Sequence, residues 1–175
     1  MSPINDPPAE AVGLDGIEKI VREESLINAC KDGQDLDARW NMMMASTEGA
    51  MAFSKGLGAV HSMSHAIGAN QELRLHHGTL NGVILPTVIR FNKDHVGNKL
   101  PRILKAMGKS ESADLADEIE KFNEKISLPS GLKEMGVTEE MIPELVEHSI
   151  TDPSNVTTPR LPSPEEWEQL FLDAM

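Results

Sequence analysis

From Ala9 to Ala29, Val12, Ile17, Ile20, Val21 and Leu26 recur at near-helical spacing, and Lys31-Asp32-Gly33 closes the run with a polar turn, which predicts a helix. Between Asp35 and Ser54, Leu36, Trp40, Met43, Met44, Thr47 and Met51 form an i, i+3/i+4 stripe through good helix formers. The stripe reads as core packing, since thioethers are flexible fillers and soft ligands. Thr79 to Phe91 is strongly apolar with Pro86 inside it, which predicts a helix kinked at that proline. Leu100–Met107 and Ser112–Ile126 read as two surface helices, the second lined on one face by Leu115, Ile119 and Phe122. Thr138-Glu139-Glu140 opens another helix running to about His148, in which Glu144 and His148 would form an exposed pair. Asp152 to Pro164 reads as a polar loop, and Ser163-Pro164-Glu165-Glu166 is the N-terminal signature of a last helix.

Composition agrees with helices. Four Phe, two Trp and no Tyr leave ten Met to supply much of the apolar volume, whereas strands lean on β-branched and aromatic residues. The expected fold is all-α, and 175 residues without repeat or low-complexity linker predict one domain over 1–175.

A formal charge of -12, spread along the sequence, repels phosphate backbones and argues against a nucleic-acid partner. The single cysteine, Cys30, excludes an internal disulfide and a multi-thiolate site. The first residues have no basic n-region or apolar h-region, and no apolar run reaches the roughly 20 residues that span a bilayer. The expectation is a cytoplasmic chain with no membrane partner.

Composition changes abruptly between Gly56 and Gly78, where four of the six histidines fall in GLGAVHSMSHAIGANQELRLHHG. His61 and His65 stand four apart, so on a helix they project from one face about one turn apart, a spacing used when two imidazoles meet one ion or one substrate. His76 and His77 lie side by side before Gly78, and a histidine from this second segment would supply convergence. The glycines allow close backbone approach to a bound group.

GLGAVHSMSHAIGA followed by HHGTLNGVILPTVIRFN resembles the C-terminal signature of the iron-containing (group III) alcohol dehydrogenases. That signature runs G-x-x-H-x-x-x-H-x-x-G, then H-G-x-x-N-x-x-x-L-P, then an apolar helix ending in Asn. Gly58, His61, His65, Gly68, His77, Gly78, Asn81, Leu85, Pro86 and Asn92 occupy its places. The resemblance implies a helical, metal-binding C-terminal domain in which His61 and His77 ligate Fe²⁺ or Zn²⁺. It implies that His65 lies beside the substrate and a nicotinamide cofactor, NAD or NADP, as a catalytic proton-relay candidate. His76 has no matched role. The substrate implied is a small alcohol or aldehyde, oxidised or reduced by hydride transfer.

In that family an Asp and a His from a D-x-x-x-H helix complete the metal cage, and a Gly-rich nucleotide-binding domain precedes it. No Asp stands four residues before any His here, and the nucleotide-binding segment is absent from this sequence. The expectation is a truncated gene product or one part of a split enzyme, with weak metal affinity and no hydride transfer alone. A homo-oligomer is expected through an apolar wall around His61, Met63 and Val83–Ile89. A competing reading is a self-contained helical metal-binding or interaction module closed by His61, His65, Glu72 and His76.

Overall fold

The computed structural model describes residues 1–175, which form helices and turns with no strand. The all-α expectation holds. In chain order the helices are α1 (Pro7–Ile17), α2 (Ser25–Lys31), α3 (Leu36–Met51), α4 (Ala59–Gly68), α5 (His77–Asn92), α6 (Lys99–Ala106), α7 (Leu115–Lys125), α8 (Ile142–Thr151) and α9 (Pro164–Asp173).

The single helix expected over Ala9–Ala29 is two. α1 runs into a π turn, Glu18–Arg22, and the chain then breaks at Glu24, whose φ of 54° is left-handed, before α2 starts. The break lets α1 and α2 both pack on α3. At the α1–α3 contact Gly16 is buried. A Cβ there would stand 3.5 Å from the Ala45 carbonyl oxygen, an ordinary contact, and 3.2 Å from a Glu48 carboxylate oxygen, so α1 lies close against this side of α3.

That close contact reverses the expected direction of α3. Its buried residues are Ala38, Ala45 and Glu48, while Leu36, Trp40, Met43 and Met51 are 61–76% exposed. Small residues permit the tight packing, and the large apolar side chains consequently fall on the outer face. Glu48 is accommodated on the buried side by Lys19, whose Nζ lies 3.1 Å away.

α4, α5, α8 and α9 enclose the main core, in which Met63, Leu80, Ile84, Leu132, Trp167 and Phe171 are completely covered. A satellite core joins the end of α5 to α6 and α7 through Ile89, Leu104, Met107 and Leu115. Met63 and Ile84 are fully buried and Val83, Val88 and Ile89 nearly so, which corrects the expected oligomer wall: those side chains are spent on this chain's own interior.

Pro86 sits inside α5 as expected. It has no N–H, so the carbonyl of Gly82 four residues earlier loses its helical partner. Asn123 on α7 supplies one, its Nδ2 donating to Gly82 O at 2.9 Å. The last helix also starts as read: Ser163 and Glu166 form a capping box with Pro164 in the first turn.

Candidate metal and catalytic site

The histidine segment folds into two helix ends that meet. His61 and His65 lie on α4, and His77 is the first residue of α5. Gly56 makes the approach to α4 possible: its φ is 73°, and a Cβ there would stand 2.7 Å from the Cβ of Thr157. Thr157 Oγ1 donates to Leu57 O at 2.8 Å, and Ser62 on the buried side of α4 donates to Asn155 Oδ1 at 2.7 Å. Asn155 in turn donates to Ser149 O of α8 at 2.7 Å. The segment Asp152 to Pro164, expected as a polar loop, is therefore a short 3-10 turn, Pro153–Thr157, that braces the histidine helix.

All three predicted site histidines come together. The ring centroids of His61 and His77 are 5.3 Å apart with planes at 58°, and His65 lies 5.7 Å from His61 and 5.4 Å from His77. Two imidazoles sharing a tetrahedral ion, each nitrogen about 2.0–2.1 Å from it, have centroids roughly 5 Å apart. The His61–His77 pair fits that requirement. The His65 and His77 planes are nearly parallel, at 15°, so these two present faces to each other instead of in-plane lone pairs to a common point. His65 thus fits a place beside an ion better than a place on it. Among the chain's His, Cys, Asp and Glu side chains no group of three is arranged to hold an ion, so the pair is part of a cage at most.

Burial pushes the half-buried His61 imidazole below its ordinary value, and His77 and His65 push it the same way, with Asp152 opposing. A neutral ring keeps the lone pair that metal ligation needs. His77 is exposed. Its Nε2 lies 3.0 Å from the Asn81 amide nitrogen and its Nδ1 3.4 Å from Ser64 Oγ. Asn81 Oδ1 is buried with no partner, so the amide that occupies the His77 nitrogen is itself only half satisfied.

His65 is fixed by a residue that local pattern did not flag. Its Nδ1 is 2.9 Å from Asp152 Oδ2, and Asp152 also accepts from Ser154 N at 2.8 Å at the start of the 3-10 turn. Burial works to raise the Asp152 pKa, yet the hydrogen bonds from Ser154 and the His65 ring outweigh it and hold the carboxyl below its usual value. Asp152 is 87 residues from His65 in sequence, within the segment read as a polar loop.

His76 caps α5, accepting from Thr79 N at 3.3 Å. Glu72 lies exposed in the turn before it, and the closed site of His61, His65, Glu72 and His76 does not form. An apolar cavity of about 490 Å³ borders His61 and Asn81 and is walled by Leu14, Phe53, Leu85 and Ile103. No helix is long and apolar enough to cross a membrane.

The chain is 39% identical over its whole length to a 4-hydroxybutyrate dehydrogenase from Cupriavidus necator, of which it covers 47%. It is 31% identical over 97% of its length to an NAD-dependent methanol dehydrogenase from Bacillus methanolicus, covering 46% of that protein. A crystal structure of a 1,3-propanediol oxidoreductase superposes on 99% of the chain with a TM-score of 0.91 at 30% identity, again over 47% of that protein. The chain therefore spans about half the length of the relatives it matches. Residues 2–175 match the profile described as Fe-containing alcohol dehydrogenase family, C-terminal, and the chain belongs to that family as its helical C-terminal domain.

Proposed function

We propose that this chain is the metal-binding half of a cytoplasmic NAD(P)-dependent dehydrogenase for small alcohols or aldehydes, in which His61 and His77 ligate one divalent ion. The observation that carries this reading is the meeting of those two rings, 5.3 Å between centroids, across the corner of α4 and α5. When bound, the ion, Fe²⁺ or Zn²⁺, supplies Lewis-acid polarisation of the substrate oxygen while hydride passes to or from a nicotinamide.

The chain's own residues do the rest. His61 stays neutral because burial disfavours its charged form. The Ser62–Asn155–Ser149 chain of hydrogen bonds holds α4, and with it both His61 and His65, in place. His77 becomes free to ligate when the Asn81 amide turns aside, at the loss of one exposed hydrogen bond. His65 donates from Nδ1 to Asp152, which leaves Nε2 to take or give a proton at a substrate hydroxyl. The apolar cavity beside His61 offers a dry wall for the substrate's carbon chain or for residues of the other half.

The similarity to a 4-hydroxybutyrate dehydrogenase makes a short hydroxyl-bearing molecule the substrate to try first. The test is complementation: this chain is co-expressed with the remaining portion of the Cupriavidus necator relative, and alcohol-dependent NAD reduction is followed. Activity that depends on both pieces and disappears in His61→Ala supports the proposal. A folded two-piece complex that binds NAD but is unaffected by His61→Ala overturns it.

A further inference from the structure

We propose that Ser64 is a positioning residue for the metal site: together with Asn81 it holds the His77 ring in the tautomer that carries its proton on Nδ1 and keeps the Nε2 lone pair for the ion. This rests on the reading of His77 as a ligand. Ser64 is fully buried on α4 between His61 and His65, so its contacts are settled within this chain. Its hydroxyl lies 3.1 Å from the His61 carbonyl oxygen and 3.4 Å from His77 Nδ1. A hydroxyl has one proton to give and two lone pairs. The carbonyl can only accept, so the proton goes to His61 O, and the Ser64 oxygen is left to accept from Nδ1–H of His77.

The other edge of the ring gives the same answer. Asn81 stands one turn after His77 on α5, and its Nδ2 is 3.0 Å from Nε2. An amide NH₂ only donates, so Nε2 carries the lone pair. The opposite tautomer would have Nε2–H donate to the Asn81 carbonyl and Ser64 donate to Nδ1. That arrangement leaves the Ser64–His61 contact unused. It also places the Asn81 NH₂, with two protons to satisfy, where a single carbonyl oxygen now lies buried without a partner. Ser64 therefore prepares the ligand nitrogen, and Asn81 competes with the ion for it. The same buried hydroxyl ties the His77 ring on α5 to the backbone of His61 on α4, which helps to bring the two rings to 5.3 Å.

Removing the two side chains should therefore act in opposite directions, which a general loosening of the corner between α4 and α5 would not do. Long-range ¹H–¹⁵N spectra of the metal-free chain at about pH 8, where imidazoles are neutral, read the His77 tautomer directly. The natural chain should show Nδ1–H, and Ser64→Ala should move His77 toward the Nε2–H form that prevails in an unconstrained histidine. In calorimetric titrations with Zn²⁺, Ser64→Ala should weaken binding roughly tenfold. Asn81→Ala, which removes the competing amide, should tighten it roughly threefold. Both variants should keep the helical circular dichroism of the natural chain. A natural His77 protonated at Nε2, a tautomer indifferent to Ser64→Ala, or a Zn²⁺ affinity that falls in Asn81→Ala as it does in Ser64→Ala overturns the proposal. Tautomers that respond as expected, with Zn²⁺ binding indifferent to His77→Ala, would instead overturn the reading of His77 as a ligand.

Discussion

His65 and Asp152 are joined by a 2.9 Å contact between Nδ1 and Oδ2, and the carboxylate that orients the ring is the same one that starts the 3-10 turn after α8. Asp152→Ala removes both the orienting contact and the cap. Chemical denaturation should show a loss of about 1–2 kcal/mol, the sum expected of a partly exposed pair and a capping side chain. Ring ¹⁵N shifts should show neutral His65 protonated at Nδ1 in the natural protein and redistributed toward Nε2 in the variant. An unchanged tautomer would mean that Asp152 does not set it.

Asn123 and Pro86 form a second coupled pair through the Gly82 carbonyl. Asn123→Ala leaves that carbonyl without its donor, and a loss of about 1–2 kcal/mol is expected. Pro86→Ala restores a backbone N–H in the helix, so in the Asn123→Ala background it should recover part of that loss. A double-mutant cycle in urea measures the coupling, and additive effects would show that Asn123 does not serve the Pro86 gap.

The fold's interior and its outer apolar stripe should respond oppositely to truncation. Phe171 is completely buried between the helices of the main core, and Phe171→Ala should cost about 3–5 kcal/mol. Leu36→Ala, at a residue 76% exposed, should change the stability of dilute protein by no more than about 0.5 kcal/mol. A large loss from Leu36→Ala at low concentration would put α3 the other way round.

Those two residues also mark where the sequence was legible and where it was not. Periodicity located α3, an apolar run located α5, and the capping signature at Ser163 located α9, because those signals are local. The facing of α3 was not legible. Hydrophobicity pointed the methionines and Trp40 inward, whereas α1 and α2 pack on the side of α3 that buries Ala38, Ala45 and Glu48. The site divides in the same way. His61 and His65 were paired by their spacing and His77 was singled out by the family resemblance, while Asp152, which meets His65, and Asn155, which meets Ser62 beside them, come from a remote turn whose residues carry no periodic mark.

Acid should weaken the protein in two windows. His61 has a folded pKa below its ordinary 6.5, so between those values the unfolded chain binds more protons and stability falls as pH drops through 6.5. Glu10, bridged by Lys55 at 2.8 Å and Arg102 at 2.6 Å, is held at about 2. Its contribution is complete above 4.5 and is lost as pH falls from there toward 2. Thermal melts from pH 8 downward should show both legs. His61→Ala should flatten the upper one and Glu10→Gln the lower.

Calorimetric titration of Zn²⁺ into the chain and its histidine variants at neutral pH tests the pairing of His61 with His77 most directly. One weak site is predicted, since two imidazoles leave the remaining coordination to water. His61→Ala and His77→Ala should each abolish it, while His65→Ala and His148→Ala should leave it within about threefold of the natural affinity. Binding that survives loss of His61 or His77, or that vanishes with His65 or His148 instead, would contradict the account.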